Sequence, residues 1–269
     1  MKQLSLKFVC VNAILSTLGA ANAATLLPSG YTENFDSLGT LATTRPTDWT
    51  NWIGAAGTTN ATWTATSGIS ATDVAAMTLV TSPLTAVTTP TVTNNNGFNA
   101  AASTTNTSDR VLAMSPTTNA GNALQVVLTN NTGNSFNSLL VSYDIVRYAA
   151  ASTAGELPGY QLFYSLNNAT WTNAVLLNPT LAGPAGVVVP NSAGVTNVAP
   201  TFISLSSDVG VGSNVWLRWV DDNGAPTSPD QIYGLNNVSV AAIPEPTEVA
   251  MMLAGLLVVG AIARRRKSI

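Results

Sequence analysis

An all-β fold, an antiparallel β-sandwich of jelly-roll kind, is predicted by three observations on the 269-residue sequence. Apolar and polar residues alternate over short stretches, those stretches are punctuated by Asn, Gly and Pro, and no segment longer than a few residues carries the 3.6-residue apolar spacing of an amphipathic helix. Many short strands without intervening helices favour two packed antiparallel sheets. No fixed-period repeat is present, which argues against a solenoid or propeller.

The strands follow from the alternation in chain order. Residues 123–129 and 139–146 are separated by Asn130-Asn131-Thr132-Gly133-Asn134, whose turn chemistry predicts a hairpin between them. In the second of these, Leu139, Val141, Tyr143 and Ile145 share one face. Segments 160–165, 186–189, 201–205 and 235–240 are further candidates. In Val215-Trp216-Leu217-Arg218-Trp219-Val220 the odd-numbered residues Val215, Leu217 and Trp219 oppose Trp216, Arg218 and Val220. Residues 69–108, rich in Thr and Asn with few bulky side chains, give the weakest signal and read as long loops, a decorated edge or locally mobile chain.

Composition removes several chemistries. Charged residues are 9% of the chain, there is no His, and the single Cys is Cys10. His catalysis, His-ligated zinc and an internal disulfide are therefore excluded. Between Ala24 and Pro246 there is no Lys, and 12 acids face 4 arginines, a net charge of −8. Such a surface repels phosphate backbones, so nucleic acid is not an expected partner.

Both ends read as addresses. In residues 1–23 two lysines precede an apolar run, and Ala21-Asn22-Ala23 supplies the small-x-small pattern cut by signal peptidase after Ala23. Cys10 lies inside this segment, leaving a cysteine-free body over residues 24–242. At the other end, residues 249–263 form an uninterrupted apolar run followed by Arg264-Arg265-Arg266-Lys267. A helix there would be about 22 Å long, close to spanning a bilayer if its flanks snorkel, with the basic cluster left on the cytoplasmic side. Before it stands Pro244-Glu245-Pro246, an extended spacer in which two prolines oppose strand or helix.

These three parts in order, over residues 243–269, resemble the PEP-CTERM sorting signal of exported bacterial proteins. The resemblance implies recognition by an exosortase in the inner membrane, cutting near the motif. It further implies Gram-negative bacteria that make exopolysaccharide, and a place at the cell surface or in a biofilm matrix. A second resemblance concerns the body. Glu33-Asn34-Phe35-Asp36-Ser37, Leu128-Thr129-Asn130-Asn131-Thr132-Gly133 and Trp216-Leu217-Arg218-Trp219-Val220-Asp221-Asp222 look like lectin-like or carbohydrate-binding jelly-roll domains. Related domains often end in an acidic pair before the last strand, where this chain has Asn236-Asn237.

Candidate site residues are few. Asp221, Asp222, Asn223 and Asp230 are the densest oxygen cluster and are expected on a loop after a strand. With Glu33 and Asp36 brought near by a terminal strand they could hold Ca²⁺, which takes six to eight oxygens; solvated acids on a polar turn are the plainer reading. As a glycosidase pair Asp221 and Asp222 are poor, because adjacent strand residues face opposite ways. Serine catalysis lacks a His or Lys base in the body. Trp49, Trp52 and Trp63 cluster amid Thr, Asn and Gly, and offer flat apolar faces for sugar rings; core packing is the competing assignment. The expected function is that of a noncatalytic surface or matrix protein contacting extracellular polysaccharide or matrix proteins. A calcium-stabilised lectin-like module is the alternative, and a polysaccharide hydrolase the third.

Overall fold

The alternation becomes strands in the computed structural model, which describes residues 22–42, 44–53, 78–79, 85–86, 98–103, 105–114, 121–148, 159–178, 194–222, 232–244, 255–258 and 264. In chain order the strands are β1 (Ala24–Leu26), β2 (Tyr31–Glu33), β3 (Trp49–Ile53), β4 (Thr78–Leu79), β5 (Thr85–Ala86), β6 (Phe98–Ala101), β7 (Arg110–Met114), β8 (Gly121–Asn130) and β9 (Phe136–Tyr148). They continue with β10 (Gln161–Ser165), β11 (Thr172–Asn173), β12 (Gly194–Val209), β13 (Asn214–Asp222) and β14 (Ile232–Pro244). Two single-turn 3₁₀ helices, Asp36–Leu38 and Val175–Leu177, interrupt them. The expected strand at 186–189 lies outside the described residues, as do residues 1–21.

The strands form two seven-stranded sheets. The first runs β11-β10-β13-β8-β3-β4 with β1 also on β8, and the second runs β12-β9-β14-β7-β6-β5 with β2 also on β14. Each sheet has one central strand built the same way. β8 has β13 along one side, while β3 and β1 share the other. β14 has β9 along one side, while β7 and β2 share the other. Pairing is antiparallel except for β1 on β8 and β5 on β6, which run parallel.

From β7 onward each long strand lies in the sheet opposite its predecessor, so β7, β9, β12 and β14 face β8, β10 and β13. This overturns the hairpin expected at Asn130–Asn134. The two places beside β8 are filled by β13 and by β3 with β1, so the turn becomes an arch that carries the chain from one sheet to the other. Asn130 builds that arch: its Oδ1 accepts from the Thr132 N–H at 3.0 Å and its Nδ2 donates to Asn134 O at 2.9 Å and Val209 O at 2.8 Å. An Asx turn of this kind is equally compatible with either connection.

The main core lies between the sheets. β13 contributes Val215, Leu217 and Trp219, β8 contributes Leu124, Val126 and Leu128, and the second sheet answers with Leu139, Val141, Tyr143 and Ile145 from β9. The inward set of β9 is the one its alternation predicts. At its centre an aromatic chain crosses between the sheets: Phe35 on Trp49 (ring centroids 5.0 Å apart), Trp49 on Trp219 (5.5 Å) and Trp219 on Tyr143 (5.8 Å). A smaller cluster of Ala100, Val111, Ala113, Val146, Tyr148 and Ile232 covers the other face of the second sheet.

Four tyrosines in this frame hold their phenol protons by burial. Tyr143 and Tyr160 donate to the carbonyls of Leu177 and Tyr233, Tyr148 to that of Ala101, and Tyr31 to Asp48 Oδ2. Desolvation pushes each phenol above its ordinary range, with Asp48 adding to the rise at Tyr31. The unfolded chain then releases protons near pH ~10 that the folded chain retains, so stability is full below that pH and falls above it. Burial lowers the pKa of Arg45, Arg110, Arg147 and Arg218, a contribution of opposite sign, but of these only the shift at Arg218, to about 9, is large, against a large rise at each of the four phenols. In a near-ultraviolet alkaline titration, four of the six tyrosines are expected to ionise only together with loss of the fold.

The chain leaves the second sheet later than its prolines suggest. β14 runs through Ile243 to Pro244, which pairs with Phe136, so the strand takes in the first proline of the expected Pro244-Glu245-Pro246 spacer. A proline is tolerated at a strand end, where its missing N–H removes no essential ladder bond. In the tail, residues 255–258 and Arg264 are helical and exposed. Among the described residues no helix is long and apolar enough to cross a membrane.

Candidate functional site

Strand parity separates the tryptophans that composition grouped together. Trp49 stands three residues before Trp52 on β3, so one faces the core and the other the outer face of the first sheet. Trp49 is 1% exposed, donates its Nε1–H to Tyr31 Oη at 2.9 Å, and lies between Phe35 and Trp219. It is a core residue, and its assignment as a glycan contact is corrected. Trp52 points outward and is half-buried. Trp63 lies outside the described residues.

Around Trp52 the outer face of the first sheet is built in register. Thr50 on β3 pairs with Gln125 on β8, Gln125 with Arg218 on β13, and Arg218 with Phe163 on β10, which places all four in one row across the sheet. Arg218 is 2% exposed. Its guanidinium carbon lies 3.9 Å from the ring centre of Trp171 and 4.7 Å from that of Trp52, and its Nε donates to Gln125 Oε1 at 2.8 Å. Burial pulls its pKa down to about 9, which leaves the charge in place at neutral pH. Trp52 is fixed further by its Nε1–H, which donates to Thr50 Oγ1 at 3.1 Å. Trp216, two residues before Arg218 and on the same face, is also half-buried. One half-buried indole, Trp52, thus belongs to a cation–aromatic stack, and a second, Trp216, lies two residues from Arg218 along the same face.

The acids singled out for calcium do not form one site. Glu33 ends β2 in the second sheet, and its Oε1 accepts the Phe35 N–H at 2.6 Å. Burial pushes its carboxyl above the usual range, against the lowering from that bond. Asp36 Oδ1 accepts the backbone N–H of Arg110 at 2.8 Å and its Oδ2 accepts from Asn34 at 2.9 Å. Both acids fasten the turn that carries Phe35, a buried residue in left-handed conformation (φ 60°), and both are occupied by the chain itself.

Asp221 belongs to the other sheet. It lies within β13 rather than on a loop, is fully buried, and pairs across the ladder with Asn122. Its charge contributes, after desolvation, to the raised pKa of Tyr160. With Asn51 it makes the interior polar at that end of the sandwich. Asp222 ends β13, whereas Asn223 and Asp230 lie outside the described residues. Among the described residues no three acids come together in a way that could hold a metal. Among the described residues Glu33 and Asp36 therefore do not join Asp221 in one cation site, which corrects that part of the expectation, while Asp230 lies outside the described residues.

No protein-family model and no curated protein matches the chain. Solved structures match about half of it. The Stig cyclase Fisc from Fischerella sp. TAU, in complex with (3Z)-3-(1-methyl-2-pyrrolidinylidene)-3H-indole, is 14% identical with a TM-score of 0.32 over 51% of this chain and 65% of that one. The CBM22-1 xylan-binding domain of Xyn10C from Paenibacillus barcinonensis is 12% identical with a TM-score of 0.29, over 51% of this chain and 74% of that one. The Agl-KA catalytic domain is 13% identical with a TM-score of 0.25, over 51% of this chain and 22% of that one. The match spans just under two thirds of the first of these chains. At such scores the likeness assigns neither ligand nor reaction to this protein.

An apolar concavity of about 240 Å³ lies between β11, the turn Val175–Leu177 and β12. Its rim carries Leu176 and Phe202, 79% and 59% exposed, over Tyr164 and Ile203. No titratable pair lines it, and it supplies contact area rather than chemistry.

Proposed function

We propose that the chain is an exported, noncatalytic surface or matrix protein that binds extracellular polysaccharide through the outer face of its first sheet. The observation that carries this reading is the stack of Trp52, Arg218 and Trp171 beside Trp216. Sugar rings present apolar C–H faces that pack on indoles, and a binding face gains when those indoles are held before the ligand arrives. Arg218 and Gln125 hold Trp52 rather than touch the polymer, while Trp52 and Trp216 supply the contact. The placing of successive strands in alternate sheets supports a jelly-roll reading of the body.

Export and processing follow from the two ends. Ala23 is exposed and the next residue opens β1, so a cut after Ala23 would leave the first strand whole, which supports this reading. The motif Pro244-Glu245-Pro246 emerges from β14 just before the apolar run and Arg264, Arg265 and Arg266, an order suited to an exosortase acting at the inner membrane.

Gel retardation in soluble exopolysaccharides and plant glucans tests the binding face. Trp52→Ala and Trp216→Ala are each expected to weaken binding about ten-fold, the equivalent of about 1.4 kcal/mol of lost stacking, with thermal midpoints near that of the parent. Retardation unchanged in both variants would remove the outer face from the mechanism.

A further inference from the structure

We infer that the end of the sandwich from which β14 leaves is a membrane-facing surface, with Leu27 and Val211 making its contact with a lipid bilayer. This rests on the tail being inserted in a membrane, as proposed above.

Three connections meet at that end: residues 27–30 between β1 and β2, 131–135 between β8 and β9, and 210–213 between β12 and β13. They are bonded to one another. The Asn131 N–H donates to Leu26 O at 2.9 Å, Gly212 N–H to Asn130 O at 2.8 Å, and Asn130 N–H to Ser213 O at 2.8 Å. The first connection also lies directly on β14. A Cβ on Gly30 would stand 2.9 Å from Val240 O, and its φ of +93° suits glycine alone. The loops are therefore a fixed platform around the point where β14 ends.

That platform carries two exposed apolar side chains. Val211 is 57% exposed and Leu27 44%, and none of the three connections contains a charged residue. A loop tip that gained only from solvation would carry the Asp, Lys or Glu usual at surfaces. From Pro244 to Val249, where the apolar run begins, the chain can reach at most about 18 Å. A tail inserted from Val249 onward holds this platform near the headgroups, where Leu and Val side chains settle at the polar–apolar boundary. Asp208, in β12 just before the third connection, is acidic and the connections carry no basic residue, so a zwitterionic surface suits this end better than an anionic one.

The test uses the full chain with Cys10→Ser, reconstituted in phosphatidylcholine vesicles containing nitroxide-labelled lipid. Single-cysteine variants Leu27→Cys, Val211→Cys and Val195→Cys carry a fluorophore. Val195 is 59% exposed and pairs with Val146, ten residues along β9 from Phe136, or about 33 Å from the platform. Quenching at 27 and 211 about three-fold or more above that at 195, in protein that floats with the vesicles, is the expected result. Floating protein with equal quenching at all three sites overturns the membrane-facing surface and leaves the tail reading standing. Protein that does not float overturns both. Protection of labels 27 and 211 in vesicle-free protein, with a dimer in solution, would assign the platform to a second copy instead.

Discussion

Trp219→Ala is expected to cost about 4 kcal/mol, within the ~3–5 kcal/mol range of buried aromatic truncations. Domains of this size are stable by only ~5–15 kcal/mol, so the variant should unfold at a far lower denaturant concentration, if it accumulates folded at all. The size of the effect follows from position. Trp219 is fully buried and touches both Trp49 from its own sheet and Tyr143 from the opposite one. Removing it opens a hole where the aromatic chain passes from β13 to β9 of the opposite sheet. Trp216→Ala, at a half-exposed position two residues away, is the internal comparison. Equal denaturation midpoints for the two variants would contradict this account of the core.

Arg218→Ala should be the second most damaging change, at about 2–4 kcal/mol, and it should also weaken polysaccharide binding. Two costs combine: Gln125 Oε1 loses a charged donor in a buried setting, and two indoles lose the cation between them. Arg218→Lys is not a conservative rescue, because a point-like ammonium cannot stack flat between two rings while also reaching Gln125. Both variants are expected to shift tryptophan emission to longer wavelength as Trp52 and Trp171 meet water. Emission and affinity unchanged in Arg218→Lys would show that charge alone, without the planar fork, holds the face.

The long strands were legible because the inward faces of their central residues are apolar. β9 and β13 follow their alternation residue by residue, and β8 and β14 extend the expected segments by only a few positions. β12 is longer than its apolar signal, 201–205, since much of it is an exposed edge of Thr, Asn and Ser that carries no burial pattern. The arch at Asn130 was not legible. Its residues make the same Asx turn in an arch as in a hairpin, and what decides between them is which strands occupy the flanks of β8, a long-range fact.

The tryptophan site was half legible. A spacing of three in a strand puts Trp49 and Trp52 on opposite faces, but that rule applies only once Trp49–Ile53 is known to be a strand, and five residues give little periodicity. Arg218 and Trp216 were already on the face opposite Leu217 by alternation. What the sequence could not supply was that β3, β8, β13 and β10 lie side by side, so that Thr50, Gln125, Arg218 and Phe163 form one row. The acids failed for the same reason. Whether Glu33 nears Asp221 depended on where β2 and β13 are placed by their pairings with distant strands, β14 for the one and β8 and β10 for the other.

The position of β14 bears on how the protein answers to tension. Its last residue leads straight into the tail, and the strand lies inside its sheet with β9 on one side and β2 and β7 on the other. A pull on the tail from a membrane or a matrix would act along the strand axis, loading both ladders in shear. Those hydrogen bonds would have to fail together rather than open one after another from an edge. A tail attached to the edge strand β12 would peel; attached to β14, it grips the sheet through its middle.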